Sequence, residues 1–368
     1  MKIALIHDHL AQDGGAEKVL KVLAEMYPQA DIYTLLYEQK HADKYFSGRT
    51  IKTSFIQRVP GGVKHYRWFL PWMPMAVEFF DLSDYDLVIS DASAFAKGVI
   101  TGVNVPHICY CHTPTRYLWD YTHRYIAELR YNKFLKKIVS LFLNYLRLWD
   151  RQSADRVDYF IANSKLVQKR IKKYYGRDSQ VIYPPVDVDS FQVVNQPSDY
   201  FLIGGRVVAY KRFDLVVEAF KELGWPVKIF GDGVDLNRLK KMAAGASNIE
   251  FLGRVDEAKK VELYQNCRAF LNPQEEDFGI TVVEAMASGR PVIAYAKGGA
   301  LETVVDGQTG VFFQEQSVES LVAALRRFDG LSFDPRIIRQ QAEQFSRQQF
   351  ESHFRDFVNQ ALIDFKQS

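Results

Sequence analysis

The stretch Pro273–Gly289 constrains the fold of this chain more than any other. It starts directly after the apolar run Cys267–Asn272 and ends just before a second apolar run, Pro291–Tyr295. Both runs have the length and composition of a buried strand, and the stretch between them contains a polar loop and then an apolar helical pattern. The order strand, loop, helix, strand is typical of an α/β unit with a parallel sheet.

Two carboxylates in this stretch, Glu276 and Glu284, are separated by seven residues. We expect Glu276 in the loop at the carboxyl end of the first strand and Glu284 in the first two turns of the helix. Ligands bind at that end of a parallel sheet, and a helix N-terminus suits phosphate. Carboxylates beside a phosphate site are suited to accept hydrogen bonds from ribose or sugar hydroxyls. In the alternative, one Glu caps the helix and the other is solvated.

Size and composition predict about two globular domains, since the chain has 368 residues, 47% of them hydrophobic and 25% charged. The first predicted strand follows Met1-Lys2 directly, and the longest uncharged run, Gly98–Thr115, contains Asn, His and Pro. A signal peptide and a membrane span are therefore not expected. Three cysteines, Cys109, Cys111 and Cys267, have no zinc or disulfide spacing, and we expect buried thiols in the cytoplasm.

Charge is distributed unevenly along the chain. Residues 1–182 contain 26 Lys and Arg against 18 Asp and Glu, whereas the remainder contains 21 against 26. A predicted helix over Arg130–Asp150 carries many bases and aromatic side chains. Such a helix fits an anionic lipid surface, which would place the chain at the inner face of the cell membrane. A core helix with a solvated basic face explains the pattern equally well.

The first half has two further candidate features. Asp13-Gly14-Gly15 follows the first predicted strand, and glycines there let backbone N–H groups approach an anion, although the dinucleotide pattern G-x-G-x-x-G is absent. His112 follows the predicted strand His107–Cys111, at the end where ligands bind. The alternative for His112 is a hydrogen bond to a neighbouring loop carbonyl.

A second sheet is predicted to start at Tyr200–Ile203, after a proline-containing linker at Val181–Asp187. Its first strand leads into Gly204-Gly205-Arg206, and Lys211-Arg212 is predicted to open the next helix. Arg206 and Lys211 form a suitable diphosphate clamp, because Arg bridges two oxygens and Lys adds a point charge. Surface bases are a poorer explanation, since cations at a helix start oppose its dipole.

These residues resemble, over nearly the whole chain, the retaining GT-B glycosyltransferases of family 4. The resemblance rests on Gly14-Gly15, His112, Gly205-Arg206 with Lys211, and Glu276-x7-Glu284 with Phe278-Gly279. The stretch His112–Asp120 looks like bacterial members that build O-antigens and exopolysaccharides, several of them mannosyltransferases.

The resemblance implies an α/β fold of the GT-B class, with two Rossmann-like domains facing across a cleft. Residues 1–182 would form the acceptor-binding domain and residues 183–346 the domain that binds the nucleotide sugar. The C-terminal helix, at about 347–368, would cross back onto the first domain.

The resemblance also implies the roles of the site residues. Glu284 would hold the ribose hydroxyls, and Glu276 would hold the sugar, together with backbone N–H groups near Phe278 and Gly279. Arg206 and Lys211 would hold the diphosphate, with Gly14-Gly15 near it and His112 near the transferred sugar. Glu275, directly before it in the sequence, could share the role of Glu276. The predicted catalytic residues are His112, Arg206, Lys211 and Glu276, and the predicted donor site also includes Gly205, Arg254, Asp277 and Ile280.

The expected reaction needs no metal or cofactor. Negative charge that develops on the leaving diphosphate would be stabilised by Arg206, Lys211 and helix N–H groups. The two Asp-x-Asp matches, Asp84-Tyr-Asp86 and Asp187-Val-Asp189, are interpreted as structural. Same-face attack is favoured by the resemblance, with the diphosphate accepting the proton of the acceptor.

The sequence thus predicts a hexosyltransferase that moves a hexose from a UDP-hexose or GDP-mannose to a hydroxyl of a glycan or lipid-linked acceptor in polysaccharide biosynthesis. No nucleic acid partner is expected. A nucleotide-sugar 2-epimerase on the same fold and a non-catalytic sugar-nucleotide sensor remain alternatives.

Overall fold

The computed structural model describes residues 1–11, 14–129 and 132–367. Asp13, Arg130 and Tyr131, which belong to the predicted patterns above, lie outside the described residues. The chain divides into two compact units, the first formed by Met1–Tyr183 with Glu351–Ser368 and the second by Pro184–Phe350. The predicted domain boundary lies one residue before the division at Tyr183.

The first unit contains a parallel sheet of seven strands within the described residues, in the order β3-β2-β1-β4-β5-β6-β7. The strands are β1 Ile3–His7, β2 Asp31–Thr34, β3 Ile51–Thr53, β4 Leu87–Ala92, β5 His107–Cys111, β6 Tyr159–Ala162 and β7 Ser179–Val181. The α-helices are α1 Gly15–Met26, α2 Gln39–Phe46, α3 Met73–Glu78, α4 Thr122–Glu128, α5 Lys133–Ser153 and α6 Lys165–Arg170.

The second unit repeats this plan with six described strands in the order β10-β9-β8-β11-β12-β13. The strands are β8 Phe201–Gly204, β9 Val227–Phe230, β10 Ile249–Gly253, β11 Ala269–Asn272, β12 Val292–Tyr295 and β13 Gly310–Phe313. The helices are α7 Phe213–Leu223, α8 Leu236–Met242, α9 Glu257–Asn266, α10 Ile280–Ala287, α11 Ala300–Thr303, α12 Val318–Asp329 and α13 Pro335–Glu343, and the last helix of the chain is α14 Arg347–Gln367. The predicted class, α/β with two parallel sheets, is confirmed.

The central strands form because their sequences are apolar on both faces. Every residue of β1, β4 and β5 is buried, as expected for parallel strands covered by helices on each side. Polar side chains in these strands lie mainly toward their carboxyl ends, where His7 and Asp91 are found. Each unit has its own hydrophobic core built from such strands and the helices that pack on them.

The last helix returns to the first unit, as predicted. Phe354 and Val358 are buried, and the Phe354 ring lies 6.5 Å from that of Tyr110 on β5. Two strands were missed by sequence analysis, the three-residue edge strands β3 and β7. Their residues alternate between half-buried and exposed, so they lack the apolar run that marks the central strands. The predicted linker, Val181–Asp187, starts too early in the sequence, because Val181 is the last residue of β7.

Asp8 fixes the carboxyl end of the first sheet. Its carboxylate accepts four backbone hydrogen bonds of 2.6–2.8 Å from the loop that follows β4, donated by Ser93, Ala94, Phe95 and Ala96. Asp8 directly follows β1, and the loop directly follows β4. These bonds therefore hold the carboxyl ends of β1 and β4 together.

Replacement of Asp8 should therefore destabilise the first unit. Asp8→Ala leaves four N–H groups without their acceptor, and we expect the free energy of unfolding to fall by roughly 3 kcal/mol or more. Urea denaturation followed by circular dichroism measures this change. Asp84→Ala is the matched control, because that carboxylate is exposed and its ion pair with Lys2 is long. Equal midpoints for the two variants would contradict this role of Asp8.

Candidate active site

In the second unit, the stretch that opened the sequence analysis forms a loop and the first turns of α10. Glu276 lies in the loop after β11, and Glu284 is the fifth residue of α10. Gly279 precedes the helix with φ of 94°, a left-handed conformation that a residue with a side chain rarely adopts. Ile280 is the first residue of α10, so the N-terminus of this helix lies beside Asp277 and Phe278.

Glu276 forms an ion pair with Lys211. The Lys211 Nζ lies 2.9 Å from Glu276 Oε1, and both side chains are largely buried. Burial alone would lower the pKa of Lys211, but the charge of Glu276 and its hydrogen bond outweigh burial and raise it. Gln274 Nε2 also donates to Glu276 Oε1, at 3.2 Å. A cation and a carboxylate are thus held in contact at the ends of β8 and β11, which are neighbouring strands.

Glu284 is also paired with a lysine. Only 5% of the residue is exposed, and Lys260 Nζ lies 3.2 Å from Glu284 Oε1. Lys260 belongs to α9 and contacts Glu257 of the same helix at 2.8 Å. An ionised carboxylate accepts hydrogen bonds from hydroxyl groups, which is the role predicted for Glu284.

The turn Lys297-Gly298-Gly299 supports the Glu276 loop. Gly299 N–H donates to the Glu276 carbonyl at 2.9 Å. A Cβ on Gly299 would lie 2.3 Å from the backbone oxygen of Phe278, so only glycine permits this approach. The Phe278 ring is buried and lies 5.4 Å from that of Phe345. These contacts fix the register of the loop between Glu276 and Gly279.

The glycine turn after β8 brings Gly205 and Arg206 close to Lys211. A Cβ on Gly205 would lie 3.4 Å from Lys211 Nζ, and Arg206 is exposed and close enough to oppose the charge of Lys211. The predicted start of α7, at Lys211-Arg212, was slightly early. Lys211 ends a short 3-10 turn, Arg212 has φ of 54°, and α7 begins at Phe213.

Arg254 is separated from this group by the sheet order. It is exposed after β10, which is an edge strand two places away from β8. The structure therefore brings together the predicted residues Gly205, Arg206, Lys211 and Glu276, with Asp277, Phe278, Gly279, Ile280 and Glu284 continuing from the same loop into α10.

In the first unit, His112 follows β5 and its ring nitrogen Nε2 lies 2.5 Å from Asp91 Oδ1. The second oxygen of Asp91 lies 2.8 Å from His7 Nδ1. His7 is the residue directly opposite Asp91 in the pairing of β1 with β4. The alternative expectation for His112, a loop carbonyl as partner, is wrong, because a carboxylate occupies that position.

Gly14 and Gly15 lie at the start of α1, where Gly14 is the residue before the helix. Glu17, in the first turn, is buried, and its Oε1 lies 4.0 Å from His7 Nε2. Burial would lower the pKa of His7, but the carboxylates of Asp91 and Glu17 raise it to about 10. Burial alone would raise the pKa of Glu17, but His7 outweighs it and lowers that pKa. Burial would likewise raise the pKa of Asp91, but His112 and, to a smaller extent, His7 lower it.

Among the residues that the structure describes, no group of three His, Cys, Asp or Glu side chains is arranged to hold a metal ion. The three cysteines Cys109, Cys111 and Cys267 are free and buried, as expected.

Comparison with known sequences assigns the chain to a family. The model described as "Glycosyltransferase Family 4" matches residues 13–190, and that described as "Glycosyl transferases group 1" matches residues 188–344. This chain belongs to glycosyltransferase family 4. It is therefore an enzyme that transfers glycosyl groups from nucleotide sugars in glycan biosynthesis.

Individual relatives support the assignment. The α-1,3/1,6-mannosyltransferase ALG2 of Dictyostelium discoideum is 26% identical over 372 residues, which cover 84% of this chain and 85% of that relative. The D-rhamnosyltransferase WbpZ of Pseudomonas aeruginosa is 28% identical over 238 residues, 62% of this chain and 59% of that relative. Anabaena HepE, solved with UDP and with UDP-glucose, has a TM-score of 0.72 at 17% identity and covers 98% of this chain and 100% of its own. The GT-B fold is thus confirmed.

Sequence analysis of this glycosyltransferase missed the partners of its site residues. Lys260, His7, Asp91 and Glu17 were not singled out, although His7 and Asp91 stand at the polar ends of apolar runs in the sequence. Their position at the carboxyl ends of predicted strands was the signal that could have identified them. Neither His7–Asp91 nor Lys260–Glu284 is visible as a pair in sequence, because the partners are 84 and 24 positions apart.

His7 should make the stability of the glycosyltransferase depend on pH. A histidine whose pKa rises on folding from 6.5 to about 10 stabilises the protein fully below about pH 6.5, and this contribution is lost as the pH rises through 10. His7→Gln should therefore lower the free energy of unfolding most near about pH 6 and progressively less toward about pH 10. Urea unfolding across this range measures the difference.

The carboxylates of Asp91 and Glu17 stay ionised over that range, because both pKa values are lowered. His123→Gln is the control, since His123 is exposed. A stability difference between wild type and His7→Gln that does not change with pH would show that His7 is not held as a cation.

Proposed function

We propose that this glycosyltransferase moves a hexose from a UDP-hexose or GDP-mannose, with retention of anomeric configuration, to a hydroxyl of a glycan or lipid-linked acceptor in polysaccharide biosynthesis. The observation that carries the proposal is the contact between Lys211 and Glu276 at the carboxyl ends of adjacent strands. A lysine cation beside a carboxylate supports the proposal, because the cation suits a phosphate and the carboxylate suits sugar hydroxyls.

Each donor group has a proposed partner in the second unit. Glu284 accepts hydrogen bonds from the ribose hydroxyls, and Glu276 accepts them from the sugar. Arg206 and Lys211 bind the diphosphate, together with the N-terminus of α10, whose first N–H groups have no partner within the helix. We further propose that the first unit binds the acceptor, with Gly14-Gly15 near the diphosphate and His112 near the transferred sugar.

The proposed chemistry follows from charge. Cleavage of the anomeric C–O bond leaves positive charge on the sugar and negative charge on the diphosphate. Arg206 and Lys211 stabilise the leaving diphosphate, so the reaction as proposed requires no metal or cofactor. The diphosphate accepts the proton of the acceptor hydroxyl, on the same face of the sugar that it leaves.

Two donor classes are retained. A mannosyltransferase name among the relatives favours GDP-mannose, and the UDP-glucose complex of HepE favours a UDP-hexose. The nucleotide base is recognised mainly by backbone contacts. At such low sequence identity, a relative does not establish which base this chain binds.

Donor binding tests the second-unit site. Lys211→Ala and Glu284→Ala should each weaken binding of the preferred donor by about 1–3 kcal/mol, the scale of a hydrogen bond to a charged group. Isothermal titration calorimetry with UDP-glucose and GDP-mannose measures the affinities. Lys240→Ala is the control, because Lys240 is exposed on α8. Unchanged affinity of both variants for both donors would refute the site.

Contact with an anionic membrane is proposed through α5. Its inner face buries Leu143, Leu146 and Trp149, but a second apolar stripe faces solvent. The stripe consists of residues spaced to lie on one side of the helix, namely Phe134, Leu141, Tyr145 and Leu148. No acidic residue occurs between Lys133 and Trp149, whereas the segment carries Lys133, Lys136, Lys137 and Arg147. An apolar stripe bordered by bases fits an anionic lipid surface.

No helix in the described part of the chain is long and apolar enough to cross a bilayer. We propose a cytoplasmic location at the inner face of the membrane, where a lipid-linked acceptor would be reached. The free thiols fit a reducing compartment.

Vesicle binding tests the role of α5. Wild-type protein should cosediment with phosphatidylglycerol vesicles at low salt and less at high salt, because screening weakens the attraction between bases and lipid. Leu141→Glu with Leu148→Glu should abolish cosedimentation. The control pair, Val234→Glu with Leu331→Glu, changes exposed apolar residues of the second unit and should bind as wild type. Absence of wild-type binding at low salt would exclude this membrane role.

A further inference from the structure

Three neighbouring strands of the first unit bring three ionisable side chains together. Asp91 lies on β4, between His7 at the end of β1 and His112 after β5. Its two oxygens are used separately, Oδ2 by His7 Nδ1 at 2.8 Å and Oδ1 by His112 Nε2 at 2.5 Å. Asp91 therefore bridges the two imidazole rings.

Glu17 extends this chain of contacts to α1. Its carboxylate lies on the other side of His7, with Oε1 at 4.0 Å from Nε2. A Cβ on Gly14 would lie 2.9 Å from Glu17 Oε2, so this carboxylate packs closely under the glycine turn. The side chains of His7, Asp91 and Glu17 are at most 4% exposed, whereas that of His112 is 12% exposed. His112 is thus the one member of the four that reaches toward solvent.

We infer that Asp91, backed by His7 and Glu17, is a positioning residue that holds the His112 ring through its Nε2–H and leaves Nδ1 to accept a hydrogen bond from a substrate hydroxyl. A carboxylate accepts only, so His112 must donate from Nε2. In the neutral ring this fixes the lone pair on Nδ1. The substrate contact rests on the function proposed above.

A second buried histidine in the same sheet has a neutral partner instead. His107, on β5, is fully buried, and its Nε2 lies 2.8 Å from the hydroxyl of Ser90 on β4. Burial lowers the pKa of His107 to about 3, so it stays neutral. The same two strands thus accommodate a buried histidine with a neutral partner. Three buried charged groups behind His112 require a desolvation that a neutral partner such as Ser90 avoids, which favours a functional reason for them.

Nitrogen NMR of the full-length protein tests the hold of Asp91 on His112 directly. The chain has eight histidines, and 15N-histidine labelling with His112→Gln and His7→Gln spectra identifies the two rings. We expect His112 in wild type to carry its proton on Nε2 when neutral, and this preference to be lost in Asp91→Asn. A His112 ring protonated on Nδ1 alone, or a spectrum unchanged by Asp91→Asn, would overturn the inference.

Donor hydrolysis gives the kinetic test, with UDP-glucose and GDP-mannose as probes. Water replaces the acceptor, the anomeric C–O bond breaks, and hexose and nucleoside diphosphate are released. Asp91→Asn should lower kcat by roughly tenfold or more, with the KM for the donor nearly unchanged, because without the carboxylate the His112 ring is no longer held in one tautomer. Asp84→Asn, at an exposed carboxylate before β4, should match wild type.

A double variant separates positioning from general destabilisation. If Asp91 acts through His112, Asp91→Asn with His112→Ala should be no slower than His112→Ala alone. Losses that multiply, or a raised KM with unchanged kcat, would show that Asp91 acts otherwise. Wild type that hydrolyses neither donor would count against the proposed donors, and the NMR result would then decide the inference by itself.

Discussion

Parallel pairing of neighbouring strands is the constraint on which both candidate sites depend. Every strand pair described in the two sheets is parallel, so carboxyl ends of adjacent strands meet at one edge. The strands are buried on both faces, and polar groups are therefore tolerated mainly where a strand ends. His7, Asp91 and His112 are far apart in sequence and meet for this reason. Lys211 and Glu276 meet in the same way after β8 and β11.

Charge pairing is the second common element of the sites. Glu276 contacts Lys211, Glu284 contacts Lys260, and Asp91 lies between two histidines. A buried charge without a partner costs several kcal/mol, whereas a paired one is held in a defined position. Each pair therefore orients its own members before any substrate hydroxyl or phosphate is bound. Removal of one member changes its partner as well, so the effect of a substitution belongs to the pair.

The sequence was most informative where the signal is local. Central strands such as β1 and β5 were found because they are continuous apolar runs, and the Glu276–Glu284 segment because its loop and helix are consecutive in sequence. The short strands β3 and β7 carry no such run, since their stability comes from pairing with a neighbour. The partners Lys260 and Asp91 were missed for a related reason: their contacts are made by folding and leave no spacing in the sequence. The bases of α5 were visible, but which apolar residues face the core was not.

The two faces of α5 serve different parts of the molecule. On the inner face, the buried Asp150 accepts hydrogen bonds from Thr115 Oγ1 at 2.9 Å and Trp119 Nε1 at 2.7 Å. Its charge is matched by Lys97, whose Nζ lies 2.5 Å away. Thr115 and Trp119 belong to the segment that directly follows His112, so this helix anchors the chain next to the proposed substrate contact. The outer face carries the apolar stripe and makes none of these bonds. The proposed attachment to a lipid surface and the support of the His112 segment therefore fall on opposite sides of one helix, and a change in the stripe leaves the Asp150 contacts in place.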